Sequence, residues 1–201
     1  MASLGARVAE KGFGRPSGLL GRLGGRLMAH GNAATEQHMV TLADLQERES
    51  VLVVGVGPGI GLQAAARHSA HVIGLDPSYV MLEACRRRCA ELIEQGRVRL
   101  VEATAEHTGQ PDCSMDVVIA VNNVQVWPDQ LAGCSELARV LRPGGRLLLS
   151  AHQKWLPDGL PALANTVAAA SFTDIDTWTW EPPGRSASTA AQLQARRHAA
   201  T

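Results

Sequence analysis

Val51-Leu52-Val53-Val54-Gly55-Val56-Gly57-Pro58-Gly59-Ile60-Gly61 joins an unbroken apolar run to four glycines spaced two residues apart. A β-branched run without polar alternation reads as a strand buried on both faces, as in a parallel sheet. The same theme recurs at His71 to Leu75, Arg97 to Val101, Val117 to Val121 and Arg146 to Leu149. Helix-forming segments intervene at Ile60 to His68, Tyr79 to Glu94 and Gln130 to Leu141, the last ended by Pro143 and Gly144-Gly145. Strand and helix alternating in this way predict an α/β fold with a doubly wound parallel sheet and right-handed crossovers. Beyond an Ala-rich helix near Pro161 to Ala170, Phe172 to Trp180 and Thr189 to Arg196 read as two further strands. Pro182-Pro183-Gly184 joins them as a hairpin would, so the sheet should number seven strands and finish antiparallel.

The glycine run occupies the strand-to-helix position, where open α/β sheets bind ligands. Glycine is needed there because a side chain would hold a ligand away from the backbone and resist the torsions of a tight turn. A dinucleotide fingerprint would require glycine at position 60 or 62, and Ile60 and Leu62 stand there, which disfavours a nicotinamide-dependent reductase. Asp76, in Gly74-Leu75-Asp76-Pro77-Ser78, closes the second strand. A carboxylate there can accept hydrogen bonds from both hydroxyls of a ribose, or it can cap the helix that Pro77 opens.

Composition narrows the field further. The chain has 201 residues and 45% hydrophobic content, enough for one core and one domain. It contains no run of about 18 apolar residues, so no membrane span or membrane partner is expected. Nineteen Lys+Arg against nineteen Asp+Glu give no basic excess for displacing counterions from phosphates, so DNA is not an expected partner. Cys85, Cys89, Cys113 and Cys134 show neither CxxC pairs nor disulfide density and read as reduced thiols, consistent with a cytoplasmic location. Residues 1–45 form an expected N-terminal helical arm or lid, Gly- and Arg-rich at first, before the main domain of 46–201. Its glycine density weakens the amphipathic helix that a transit peptide needs.

Taken together, these landmarks resemble the class I S-adenosylmethionine-dependent methyltransferases of the compact small-molecule type, from about Met39 to Arg196. The resemblance rests on Gly55, Gly57 and Gly59; Asp76; Cys113-Ser114-Met115-Asp116-Val117-Val118; Asn122 to Trp127-Pro128-Asp129; and Leu137-Ala138-Arg139-Val140-Leu141-Arg142-Pro143-Gly144-Gly145-Arg146-Leu147. It implies a Rossmann-like methyltransferase fold and S-adenosyl-L-methionine as cofactor. Gly55, Gly57 and Gly59 would line its methionyl part, Asp76 would hold the ribose, and Pro77 would lie near the adenine edge. Thr104, followed by Ala105, stands where the family commonly places an acid for the adenine amino group. Val53 stands where the family usually carries Glu or Asp near the end of the first strand. Both departures remove negative charge beside a cationic ligand. The expectation is weaker cofactor affinity, or compensation from Asn122 or the N-terminal arm.

Methyl transfer is an in-line displacement in which placement of the acceptor atom supplies much of the acceleration, and it requires no metal. An acceptor that must lose a proton gains from a nearby base, and histidine is the side chain poised near neutral pH. Among His30, His38, His107 and His152, position favours His152, at a strand's carboxyl end, followed by His30 in the arm. Gln125, Trp127 and Trp155 offer a substrate-binding rim, although Trp127 equally suits a core anchor. Aromatic residues make up only 3%, which argues against an aromatic cage or a stack of bases. The expected activity is methyl transfer to an oxygen or nitrogen of a small organic molecule, in a biosynthetic setting such as secondary metabolism. Alternatives are a cofactor-binding protein that does not transfer methyl, either cyclase-like or regulatory, and a methyltransferase of RNA or protein. The oligomeric state, a homodimer included, stays open.

Overall fold

In the computed structural model, which describes residues 32–156, 158–183 and 188–198, the apolar run at 51–54 lies near the middle of a seven-stranded sheet. Strand β1 (Ser50–Val54) pairs in parallel with β2 (His71–Asp76) on one side and β4 (Met115–Val121) on the other. Strand β3 (Val98–Glu102) lies beyond β2, and β5 (Leu141–His152) continues the parallel set beyond β4. Strand β7 (Ala190–Arg197) inserts antiparallel between β5 and the edge strand β6 (Phe172–Trp180), giving the order 3-2-1-4-5-7-6. The alternation, the parallel core and the antiparallel finish agree with the sequence expectation.

Successive residues of β1 serve opposite layers, as the two-residue strand period requires. Leu52 and Val54 pack with α5 (Gln130–Val140) and α6 (Gly159–Ala169), through Leu137, Leu163 and Val167. Val51 and Val53 pack on the other face with a helix of residues 32–43 (α1), α2 (Ile60–Ala65) and α3 (Tyr79–Arg88). Met39, Val40 and Ala43 of α1, with Leu45 beyond it, are buried in that face together with Ile119 and Leu148. Each fully buried Met, Val or Leu side chain contributes about 1.5–3 kcal/mol, so α1 is part of the folded core. His38 on the same helix stacks on Trp180 of β6, ring centroids 4.0 Å apart and planes 8° from parallel.

Three boundaries differ most from the sequence expectation. Helix α2 stops at Ala65, and residues 67 and 68 turn through i→i−3 hydrogen bonds instead of continuing. The predicted helix over 79–94 leaves helical torsions at Cys89 (φ −103°, ψ 18°) before α4 (Ala90–Glu94). Strand β5 begins at Leu141, directly after α5, because Met115 pairs with Leu141 and the register then shifts before Val117 pairs with Arg146. Pro143, which lacks a ladder donor, falls inside that irregular stretch. Asp116 ties the region together, accepting from Ser50 N at 2.8 Å and pairing with Arg142.

Candidate functional site

The carboxyl ends of β1, β2, β4 and β5 converge on the glycine loop. Gly55 N and Val56 N both donate to the Leu75 carbonyl, at 2.8 and 3.1 Å, so the loop leaves β1 bound to the end of β2. Gly57 holds a left-handed φ of +49°, and a Cβ built on it would meet nothing within 4 Å. Its torsion requires glycine and its Cα faces open space, which makes a cradle for a ligand. Gly59 has both reasons to be glycine, a φ of +90° and close packing, since a Cβ there would lie 2.6 Å from Cys85 Sγ.

Asp76 closes the cradle at the end of β2. Its Oδ2 accepts from Gly57 N at 3.0 Å and its Oδ1 from Ser78 N at 2.9 Å. Burial pushes its carboxyl upward, opposed by the hydrogen bonds from Ser78 and Gly57. The carboxylate therefore fixes both the glycine loop and the entry to α3, while the second lone pair of each oxygen stays available to a ligand. Ser78 is the N-cap residue of α3, and half-buried Pro77 lies between it and Asp76.

Across the loop, Glu36 of α1 reaches the start of α2, where its Oε2 accepts from Gly61 N at 2.5 Å. Glu36 lines a cavity together with Val40, Val53, Val54, Gly55, Val56, Gly61, Ile119 and Val121, and it is the one charged group in that lining. Burial pushes its carboxyl up to about 7, against the opposing pull of the Gly61 N–H and the Arg88 cation. Sequence reasoning missed Glu36, because nothing in its neighbourhood marks one acid of an amphipathic segment as facing the loop.

Hydrogen-bonding capacity without partners concentrates beside this cavity. Both side-chain polar atoms of Asn122, Oε1 of Gln125, Oγ of Ser150, Nδ1 of His152 and Nε2 of Gln192 are buried and unpaired. They account for six of the eight such atoms among the described residues. Asn122 follows β4 with a left-handed φ of +56°, its N–H donating to Ser150 O at 2.7 Å. Ser150 sits directly across from Gln192, and two residues further along β5 His152 shares the same face of the sheet. Trp178 of β6 lies beside Gln192 and donates to its Oε1 at 2.6 Å. Buried polar groups ordinarily find partners, so a cluster of unsatisfied ones requires an explanation, and a bound ligand supplies one.

The structure separates the remaining sequence candidates. His152 is half-buried with Trp155 edge-on to it at 5.0 Å, and burial, helped by Lys154, pulls its pKa down. Trp155 is 48% exposed. Gln125 donates to Asn122 O at 2.9 Å, beside the cluster. Trp127 makes anchor contacts: its Nε1 donates to Asn123 Oδ1 at 3.1 Å, and its ring lies where a Cβ on Gly133 would fall. Thr104 is half-buried and Ala105 buried in the loop after β3, where Glu106 Oε1 is buried without a partner. His107 is exposed and His38 is engaged with Trp180. His30 lies outside the described residues, as does most of the expected arm. No helix among the described residues is long and apolar enough to cross a membrane.

Comparison with known proteins agrees with this geometry. Residues 52–149 match the family described as methyltransferase domain. An uncharacterized methyltransferase of Bacillus subtilis, YdaC, is 30% identical over 164 residues, covering 77% of this chain and 88% of the relative. A phosphatidylethanolamine N-methyltransferase of Cereibacter sphaeroides is 34% identical over 128 residues, 64% of this chain and 62% of its own length. The 27-O-demethylrifamycin SV methyltransferase of Amycolatopsis mediterranei is 31% identical over 152 residues, 69% of this chain and 56% of its own length. The chain thus spans less than two thirds of the last two relatives. Among solved structures, a SAM-dependent methyltransferase from Aquifex aeolicus superposes with a TM-score of 0.68 at 16% identity, over 84% of this chain and 92% of its own. The chain belongs to the class I S-adenosylmethionine-dependent methyltransferases, and its cofactor is S-adenosyl-L-methionine.

Proposed function

We propose that this protein transfers a methyl group to an oxygen or nitrogen of a small organic molecule, its acceptor held by the unpaired polar groups beyond β4, β5 and β7. That cluster is the observation that carries the reading. Asn122, Gln125, Ser150, His152 and Gln192 each offer at least one amide, hydroxyl or imidazole atom without an internal partner, the kind of lining that orients a small polar molecule. Two relatives named for methyl transfer to a small molecule or lipid, at oxygen or at nitrogen, support the same class.

The residues present fit the cofactor. Gly57 would give the methionyl portion an open stretch of backbone, with Gly55 and Gly59 holding the turn on either side of it, and Asp76 would offer lone pairs to a ribose from the end of β2. Pro77, Thr104 and Ala105 would border the adenine side, and Asn122 would stand between the cofactor and the acceptor groups. When bound, the cofactor supplies an activated methyl group on a cationic sulfur. This chain then has to place the acceptor atom in line at roughly 3–3.5 Å, exclude water, and accept a proton where the acceptor carries one. His152 is the base. Its lowered pKa keeps the imidazole neutral at pH 7, and its Nδ1 has no competing partner. Helix α1, packed into the core, covers the face that carries the cluster and forms a fixed wall of the site.

Label transfer tests the proposal. With methyl-labelled cofactor and a cell extract divided by size, label is expected in the small-molecule fraction, with one S-adenosylhomocysteine formed per methyl moved. Label confined to RNA or protein would contradict it.

A further inference from the structure

We propose that Glu36 is the counter-ion for the cationic methionyl end of the cofactor, delivered through space by α1 to the spot that Val53 leaves without charge. The inference rests on the cofactor assignment and adds a residue to that site.

Three observations carry it. First, the side chain of Val53 lies on the α1 face of β1, and Glu36 and Val53 line one cavity with Gly55, Val56 and Gly61. Glu36 is the one charged residue of that lining, since every other lining residue is apolar or glycine. Second, the carboxylate is held against the glycine loop. Its Oε2 takes the Gly61 N–H at 2.5 Å, and a Cβ on Gly61 would lie 3.0 Å from that oxygen, so glycine at 61 leaves room for the close approach. Third, α1 is anchored around Glu36, by buried Thr35 just before it and by Met39 and Val40 in the core and His38 against Trp180 just after it. The carboxylate is therefore held in position.

A carboxylate buried in an apolar cavity with one backbone donor is costly unless a cation joins it. Arg88 of α3 is the cation acting on it from the surrounding elements, and its Nε is already committed to the Pro58 carbonyl at 2.9 Å. A ligand bearing an ammonium and a sulfonium beside the glycine loop meets the need. The carboxyl, pushed up to about 7, would ionise as the ligand binds, and the proton would leave to solvent. Burial and the Gly61 hydrogen bond thus tune Glu36 to respond to a cation arriving over the loop.

The test is cofactor binding by calorimetry to the full chain, without turnover. Wild-type affinity for S-adenosylmethionine should rise roughly tenfold from pH 5.5 to 7.0, with proton release detectable as a buffer-dependent heat. Glu36→Gln, which preserves shape and one acceptor, should bind roughly tenfold more weakly at pH 7 and lose the pH dependence. Val53→Asp in a Glu36→Ala background should recover most of the lost affinity, which a purely structural role for Glu36 would not permit. Unaltered affinity and pH dependence in Glu36→Gln would overturn the proposal while leaving the methyl-transfer reading intact, as would failure of Val53→Asp to restore binding. A wild-type chain that binds no cofactor would overturn both.

Discussion

The Asn123 amide stands where a side chain on Gly55 would have to go. A Cβ built on Gly55 lies 2.4 Å from Asn123 Nδ2, and that nitrogen donates to the Val54 carbonyl at 2.6 Å. Through Oδ1 the same amide accepts from Trp127, so one side chain joins the exit of β1 to the segment after β4. Gly55→Ala should therefore displace Asn123 as well as strain a φ of +66°. The left-handed conformation alone costs about 1–2 kcal/mol, and an unsatisfied buried donor about 1–3 kcal/mol more. Chemical denaturation should show a loss in that range together with lost cofactor binding. Asn123→Ala should lose similar stability while retaining some binding.

Asp76 has two duties, and suitable variants separate them. Asp76→Asn keeps one acceptor for the Gly57 or Ser78 N–H but loses the charge, whereas Asp76→Ala loses both. Removing a charged hydrogen bond costs about 1.5–3 kcal/mol. Asp76→Ala should weaken S-adenosylmethionine binding by that amount and also lower the melting temperature. Asp76→Asn should weaken binding with less effect on stability, as calorimetry and thermal melts on one preparation would show.

The raised carboxyl of Glu36 makes a signed prediction about pH. Its folded value, about 7, exceeds the ordinary 4.5, so the folded chain binds the proton more tightly than the unfolded one. Its contribution to stability is full below pH 4.5 and is lost as pH rises through 7. The loss amounts to about 3 kcal/mol at 1.36 kcal/mol per unit. Relative to Glu36→Gln, the ligand-free wild type should become progressively less stable from pH 5 to 8 in urea titrations. A constant difference across that range would count against the buried position of the carboxyl.

His152 should show itself in turnover, not in cofactor affinity. His152→Gln should lower kcat by about 10²–10⁴-fold, the range for a positioned general base, with cofactor Kd within about twofold. The wild-type kcat/KM profile should carry an acid limb below the ordinary histidine value, since burial and then Lys154 lower that of His152. A variant with unchanged kcat would remove histidine from the mechanism.

Much of this architecture was legible in the sequence because its signals are local. The β-branched run at 51–54, the glycines behind it and Asp76 after β2 each state their own place, and the parallel pairing of the first five strands follows from the alternation. Phe172–Trp180 matched to the residue because Ser171 and the Pro182-Pro183 pair bound it. Less legible were features set by distant contacts. Strand β5 extends back to Leu141 through a Pro-Gly-Gly that reads as a break, because Met115 offers it a partner. Glu36 lies 25 positions before the Gly61 N–H that it accepts, and no periodicity encodes that meeting. The missing acid at Val53 was visible, whereas the residue facing the gap required the path of α1. Ser150 and Gln192 lie 42 positions apart in sequence, so their shared face emerges only from the antiparallel register.

The placement at stake is that of an adenosyl sulfonium over the carboxyl ends of β1 and β2. A crystal structure with S-adenosylhomocysteine tests it most directly. The account predicts both ribose hydroxyls within about 3.2 Å of the Asp76 carboxylate, at hydrogen-bonding distance, with the amino-acid end against Gly55 and Gly57 and its ammonium turned toward Glu36. Density for the ligand anywhere else, or a ribose out of reach of Asp76, would contradict it.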